Sequence, residues 1–251
     1  MQNIVVLISG SGSNLQALMD ACASGEIPEA TISLVISNRK AAYGLTRARN
    51  ASPPIPTDYL ALAPFLKGAA TQAVSPSETI STVQALKPTP ARTRVDYDLE
   101  IARMILQFGR PDLVVLAGWM HVLSPEFLDV LEGRTSVAGD VTATPHPEPS
   151  TTSTSPIPII NLHPALPGAF DGANAIQRAY DAFQAGEISN TGIMVHRVIS
   201  EVDQGEPVIV KDIEIKKDES IEALEERIHA AEHVAIVQAA KKVLQGARSS
   251  P

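Results

Sequence analysis

Asn3–Leu18 reads NIVVLISGSGSNLQAL. Its opening, Asn3–Ile8, is continuously apolar and β-branched, as in a strand buried on both faces. Ser9–Asn14 interleaves glycine with short polar residues, and Leu15–Ala23 follows as a short helix. Working outward, Thr31–Ile36 (TISLVI) is a second strand, Ala41–Asn50 is helical, and Arg94–Phe108 is a longer helix with Ile101, Ile105 and Phe108 on one stripe. Gly109, Arg110 and Pro111 end that helix, and Leu113–Leu116 is a third buried strand. Ser124 and Pro125 fit an N-cap and a first helical position. Pro158–Leu162 is a strand, Ala173–Phe183 a helix, and Thr191–Ile199 a strand with which Pro207–Ile215 can pair. Asp218–Leu244 closes the chain as a long helix, its apolar residues Ile221, Leu224, Ile228, Ala231 and Ala235 recurring at steps of three and four. Asp218 or Ser220 could cap it, and Lys241 and Lys242 suit its C-terminal dipole. The alternation predicts right-handed βαβ units: an α/β fold with a mostly parallel twisted sheet, helices on both faces and an antiparallel C-terminal part. Ligands bind such sheets at the carboxyl ends of the strands.

The Ser9–Asn14 turn therefore lies where a ligand would. Glycines let the backbone approach closely, the next helix offers unpaired N–H groups and a partial positive charge, and Ser and Asn add donors. That is an anion site, best suited to phosphate. A dinucleotide fingerprint would want a third glycine where Leu15 stands and an acid after strand two, which instead ends Ser37-Asn38-Arg39-Lys40. An NADP reading survives only through Arg39, and the absence of Gly-Lys-Ser/Thr excludes a nucleoside-triphosphate loop. A plain turn that binds nothing is the competing reading.

The 251 residues fit one domain, 1–251, with insertions at about 52–90 and 135–158. Both insertions are rich in Pro, Ser and Thr, bury too little apolar surface to order themselves strongly, and are expected to be flexible and on the surface. Hydrophobic residues make up 44%, enough for a full core. The net charge of −8 argues against nucleic acid as a partner but not against a small phosphorylated substrate. With Cys22 as the only cysteine, a disulfide framework and a cysteine-based zinc site are out. No ligand cluster for any metal is evident. The absence of an export signal or a run approaching the ~20 apolar residues of a membrane span points to the cytoplasm.

Ile159–Pro167 reads IINLHPALP. In an extended chain Asn161 and His163 point to the same side. An amide N–H and an imidazolium can both donate to a developing oxyanion, and histidine can move a proton near neutrality. Asp203, in the loop 200–206, is the candidate carboxylate that would raise the imidazole's pKa. Taken singly, a histidine at a strand end is more often structural. His121, His146, His196, His229 and His233 show no comparable neighbours, although His196 lies in a strand aimed at the 200–206 loop.

With these residues in view, the sequence resembles the phosphoribosylglycinamide formyltransferases, folate-dependent enzymes of purine synthesis, and the fungal type in particular. The stretches NIVVLISGSGSNLQAL, PDLVVLAGWMHVLSPEFL, NLHPALPGAFDGANAIQRAYDAF, TGIMVHRVISEVDQGEPVI and RIHAAEH occur in the family's order and span nearly the whole chain. The resemblance implies a Rossmann-like formyltransferase fold. It implies that Asn161, His163 and Asp203 are the catalytic trio, and that Gly12, Ser13, Asn14 and Glu232 bind glycinamide ribonucleotide. Arg94, Met120, His121, Val122 and Leu123, together with Asn161, would bind the co-substrate 10-formyltetrahydrofolate, and His196 would line the site. His229 stands where some relatives carry glutamine. No metal is implied, and the expected assembly is a monomer or weak homodimer.

The rival readings are a formyl-folate hydrolase, another folate-dependent formyltransferase, an NADP-dependent oxidoreductase and a non-catalytic binding module. A tRNA-directed enzyme is expected to add a basic C-terminal domain, and a hydrolase an N-terminal regulatory one. The oxidoreductase leaves Asn161, His163 and Asp203 unexplained.

Overall fold

A computed structural model describes residues 1–68, 91–136 and 155–249. The strands are β1 (Gln2–Ile8), β2 (Ala30–Ser37), β3 (Thr57–Tyr59), β4 (Leu113–Leu116), β5 (Ile159–His163), β6 (Asn190–Arg197) and β7 (Pro207–Glu214). The helices are α1 (Ser13–Ser24), α2 (Tyr43–Arg49), α3 (Leu62–Leu66), α4 (Arg94–Gln107), α5 (Pro125–Leu131), α6 (Ala175–Gln184) and α7 (Ile221–Ser249). Side chains alternate across a strand, and this alternation builds two cores. Ile4, Val6, Ile8, Leu113, Val115, Ile160 and Leu162 face the layer containing Leu15, Leu18 and the buried stripe of α7. Val5, Leu7, Val114, Leu116 and Ile159 face α4 and α5 through Tyr97, Ile101, Ile105, Phe127 and Leu131.

The strands form one sheet in the order β3-β2-β1-β4-β5-β6-β7. Pairing is parallel from β3 to β5 and antiparallel for β5–β6 and β6–β7. The expected mostly parallel sheet with an antiparallel C-terminal part is therefore present. Strand order reverses at β1, whose neighbours are β2 and β4. In sheets of this kind ligands bind at the carboxyl ends beside such a reversal, because the flanking connections leave in opposite directions.

Several local expectations hold. Ser124 Oγ accepts the Phe127 N–H, with Pro125 at the first helical position, and Ser220 Oγ accepts the Ala223 N–H. Others do not. Phe108 falls at the C-cap of α4 and is 52% exposed, so the buried stripe stops at Ile105. Lys241 and Lys242 do not meet the C-terminal dipole of α7, because the helix runs on to Ser249; Lys242 Nζ donates to the Val208 carbonyl instead. Within the stretch read as insertion from 52, Thr57–Tyr59 adds an edge strand beside β2, and Phe65 of α3 is buried. Those few residues find their apolar contacts in the neighbouring layer, which composition alone does not display. The expectations for 69–90 and 137–154 lie outside the described residues.

Candidate active site

The parallel strands β1, β4 and β5 are successive in the sheet, so the segments after them share one rim. Ser9, just past β1, ties two of these segments together. Its N–H donates to the Gly118 carbonyl, and its Oγ accepts the Met120 N–H at 2.7 Å. Gly12, with φ of 71°, is the N-cap of α1. A Cβ on Gly12 would lie 2.6 Å from the Gly44 Cα, and one on Gly44 would lie 2.5 Å from Ile8 Cδ1. Two glycines thus let α2 press the turn against the sheet, and Arg47 Nε caps it by donating to the Ser11 carbonyl. The first-turn N–H groups of α1 have no intrahelical acceptor, and Gly12 provides no side-chain cap for them.

Glu232 comes to the same place from the far end of the chain. Asn14 Nδ2 donates to Glu232 Oε2 at 3.3 Å, and both residues are buried. Burial raises the Glu232 carboxyl above its ordinary value, against the pull of Asn14 and His229. The structure therefore joins Gly12, Ser13, Asn14 and Glu232 in one locality. Asn14 Oδ1 and, one helical step from Glu232, His233 Nε2 are buried without a partner. Burial, followed by the charges of His229 and Arg47, lowers the His233 pKa.

Asn161 and His163 do share a face of β5, and Asp203 meets both. Asn161 Nδ2 donates to Asp203 Oδ1 at 3.3 Å, and His163 Nδ1 lies 3.4 Å from Asp203 Oδ2. His196, directly opposite Asn161 on β6, completes a quartet: its Nε2 is 3.2 Å from Asn161 Nδ2 and 3.4 Å from Asp203 Oδ1. A carbonyl can only accept, so the 2.8 Å contact from His196 Nδ1 to the Arg197 oxygen places a proton on Nδ1. His196 is thus as well placed as the expected trio, and its position opposite Asn161 is a consequence of register.

Asp203 adopts φ of 57°, and Gly172 N–H donates to its Oδ2 at 2.9 Å. Burial pushes its pKa up. The His196 contact, the Gly172 N–H and the positive potential of both imidazoles outweigh that and hold the carboxyl below its ordinary value. His163 departs from expectation. A carboxylate partner alone would raise its pKa, but at 4% exposure the loss of hydration dominates, and the pKa is lowered despite Asp203 and, more weakly, Asp171 and the Ala169 backbone. The resting ring is therefore neutral near pH 7. Nδ1 faces the Asp203 carboxylate, and Nε2 is buried without a hydrogen-bond partner among the described residues.

The Met120–Leu123 strip after β4 is also on this rim. Met120 and Val122 are 74% and 62% exposed, whereas Leu123 and the His121 ring turn inward. His121 has a defined neighbour after all: its Nε2 lies 2.6 Å from Asp98 Oδ1 on α4. No motif links those two positions in the sequence. Arg94 is exposed on the first turn of α4, and among the described residues no hydrogen bond or ion pair joins it to the quartet. Gly205 was not foreseen either. A Cβ there would sit 1.6 Å from the Arg197 carbonyl oxygen, so only glycine lets the loop carrying Asp203 fold back on β6. Among the described residues no group of three or more His, Cys, Asp or Glu could hold a metal ion, and no helix is long and apolar enough to cross a membrane.

Comparison with known proteins identifies the family. The sequence model of the family described as formyl transferase matches residues 2–135 and 149–240. A phosphoribosylglycinamide formyltransferase from Schizosaccharomyces pombe is 46% identical over 243 residues, covering 96% of this chain and 97% of its own. The Saccharomyces cerevisiae protein of the same name is 42% identical over 249 residues, 98% of each. Among solved structures, glycinamide ribonucleotide transformylase 1 from Symbiobacterium toebii aligns with a TM-score of 0.70 at 29% identity over 98% of this chain and 89% of that one. The Geobacillus kaustophilus counterpart gives 0.68 at 30% identity over 97% and 99%. A family match over most of the chain, with relatives at 46% and 42% identity over nearly its full length, places the chain in the formyl transferase family, among the phosphoribosylglycinamide formyltransferases.

Proposed function

We propose that this protein transfers the formyl group of 10-formyltetrahydrofolate to the amine of glycinamide ribonucleotide, in the cytoplasm, as a step of purine synthesis. The observation that carries the reading is the convergence of Asn161, His163 and His196 on Asp203 within 3.3–3.4 Å. That cluster lies on the rim that also holds the Gly12–Asn14 turn and Glu232.

Each part has a physical role. The N–H groups of Gly12, Ser13 and Asn14 and the positive end of α1 suit the substrate's phosphate, and the Glu232 carboxylate suits its amine. The exposed Met120 and Val122 and the backbone of His121–Leu123 suit a flat, partly apolar ring, and Arg94 would meet the acidic tail of the folate. The co-substrate supplies the formyl carbon. The Asn161 amide keeps one N–H on Asp203 and can turn its second to the formyl oxygen as negative charge builds there. His163 Nε2, bare at rest, takes a proton from the attacking amine. The imidazolium so formed is stabilised by Asp203 through Nδ1 and can return that proton to the departing nitrogen. The buried His163 Nε2, a polar atom with no hydrogen-bond partner among the described residues, supports this role.

The test is a formyl-transfer assay with and without glycinamide ribonucleotide, on wild type, Asn161→Ala and His163→Ala. Acceptor-dependent turnover is expected, with losses on the order of 10²–10³ in kcat for each variant. Near wild-type rates in both variants would sink the assignment, and donor consumption independent of acceptor would favour a hydrolase.

A further inference from the structure

Asp98 is not accounted for by formyl transfer, yet it is 1% exposed and both its oxygens are engaged. Oδ1 lies 2.6 Å from His121 Nε2, and Oδ2 accepts the Ser124 N–H at 2.9 Å. An ionised carboxylate can only accept, so His121 presents Nε2–H to it. The ring is held edge-on by Tyr97, with centroids 5.2 Å apart, and by Trp119 at 6.3 Å. Tyr97 is itself anchored, its hydroxyl donating to the Leu60 carbonyl at 2.7 Å. Upstream, Ser9 Oγ holds the Met120 N–H. The strip 120–124 is therefore pinned at both ends and in the middle. With His121 and Leu123 drawn inward, Met120 and Val122 are forced out onto the rim.

We infer that Asp98 is a positioning residue for the formyl donor: it clamps His121 and Ser124 so that the backbone between Met120 and Leu123 is set, before binding, to receive the edge of a planar heteroaromatic ring. The inference rests on the function proposed above and adds to it a residue that touches neither substrate. Pre-organisation of this kind lowers the ordering cost of binding. Its loss should appear in affinity for the donor and leave the acceptor and the proton-transfer quartet largely untouched.

The experiment compares wild type, Asp98→Asn and His121→Gln by steady-state kinetics in both substrates, by fluorescence titration with a stable 10-formylfolate analogue, and by thermal unfolding. Asp98→Asn keeps the shape but loses the charge. It should raise donor KM and analogue Kd about tenfold, the size of one charge-assisted contact, with acceptor KM within twofold and kcat changed less than donor KM. His121→Gln retains an N–H for Asp98, so the test does not depend on one variant folding; it should raise donor KM about threefold. Equal analogue affinity in wild type and a folded variant would overturn the inference. So would a parallel rise in both KM values, or a fall in Tm and active fraction with donor KM unmoved, each of which marks a merely structural role. Failure of the wild-type protein to bind the analogue at all would instead remove the functional reading on which the inference stands.

Discussion

Gly205→Ala is the sharpest test of how the active site is held. The new Cβ would lie 1.6 Å from the Arg197 carbonyl oxygen, 2.7 Å from its carbon and 3.2 Å from His196 Nδ1. A carbon and a carbonyl oxygen come no closer than about 3.3 Å without strain, so the two backbones must part by roughly 1.7 Å. Neither can yield like a side-chain tip. Arg197 is the last residue of β6 and donates its N–H to the Glu206 carbonyl at 2.9 Å, while the other backbone is the loop two residues beyond Asp203. The contacts proposed to be catalytic have no such slack: Asp203 holds Asn161 at 3.3 Å and His163 at 3.4 Å. A shift of ~1 Å at a catalytic group can cost ~10² in rate. The expected outcome is therefore a ~10²-fold loss of kcat/KM, carried mainly by kcat, with a destabilisation of about 1–3 kcal/mol from overpacking. The assay is acceptor-dependent formyl transfer, with circular dichroism to confirm folding and Asp203→Asn as the reference. Because the alanine acts through Asp203, the double variant should lose little beyond the worse single one. A Gly205→Ala enzyme within fivefold of wild type, or strictly additive losses in the double variant, would refute the reasoning.

Two further outcomes follow from the buried ionisable groups. Burial holds His163 below its ordinary pKa of about 6.5, so below that pH the unfolded chain binds a proton that the folded chain does not, and stability falls on acidification. His163→Gln should flatten the loss of urea-unfolding stability between about pH 6.5 and 5; an unchanged slope would contradict the assignment, His233 accounting for what remains. Asp203 acts in a separate, lower window, since its depressed carboxyl contributes stability above about pH 4 and loses it below. Glu232 has the opposite sign: burial raises its pKa, so it weakens the fold as it ionises with rising pH. Glu232→Gln should therefore raise Tm at pH 8, by about 2–4 °C for each 1 kcal/mol gained, with the gain vanishing toward pH 4.5, and should raise KM for glycinamide ribonucleotide. A lower Tm at pH 8 would show that the carboxylate is stabilising where it sits.

Much of this was legible in the chain. Period-two alternation cannot be seen in NIVVLI or LVVL because both faces are apolar, yet a continuous apolar run bounded by glycine is itself the mark of a doubly covered parallel strand. Asn161 and His163 were readable as a pair because strand geometry puts alternate residues on one side. The edge strand Thr57–Tyr59 was not, since three residues carry no periodicity and their order comes from pairing with Val35–Ser37. The exposure of Phe108 was hidden for a similar reason: helical spacing continues past the last turn, but the layer it packs on does not.

By itself the sequence determined the sheet's direction, the glycine-rich turn after β1 and the pairing of Asn161 with His163 on one side of β5, because each depends on residues close together in the chain. Only the tertiary structure decided which groups actually meet: Asn14 with Glu232, Asp98 with His121, His196 with Asn161 and Gly205 with Arg197. It also decided the protonation of His163, since the competition between a nearby carboxylate and lost hydration is settled by burial, a quantity created when distant segments pack.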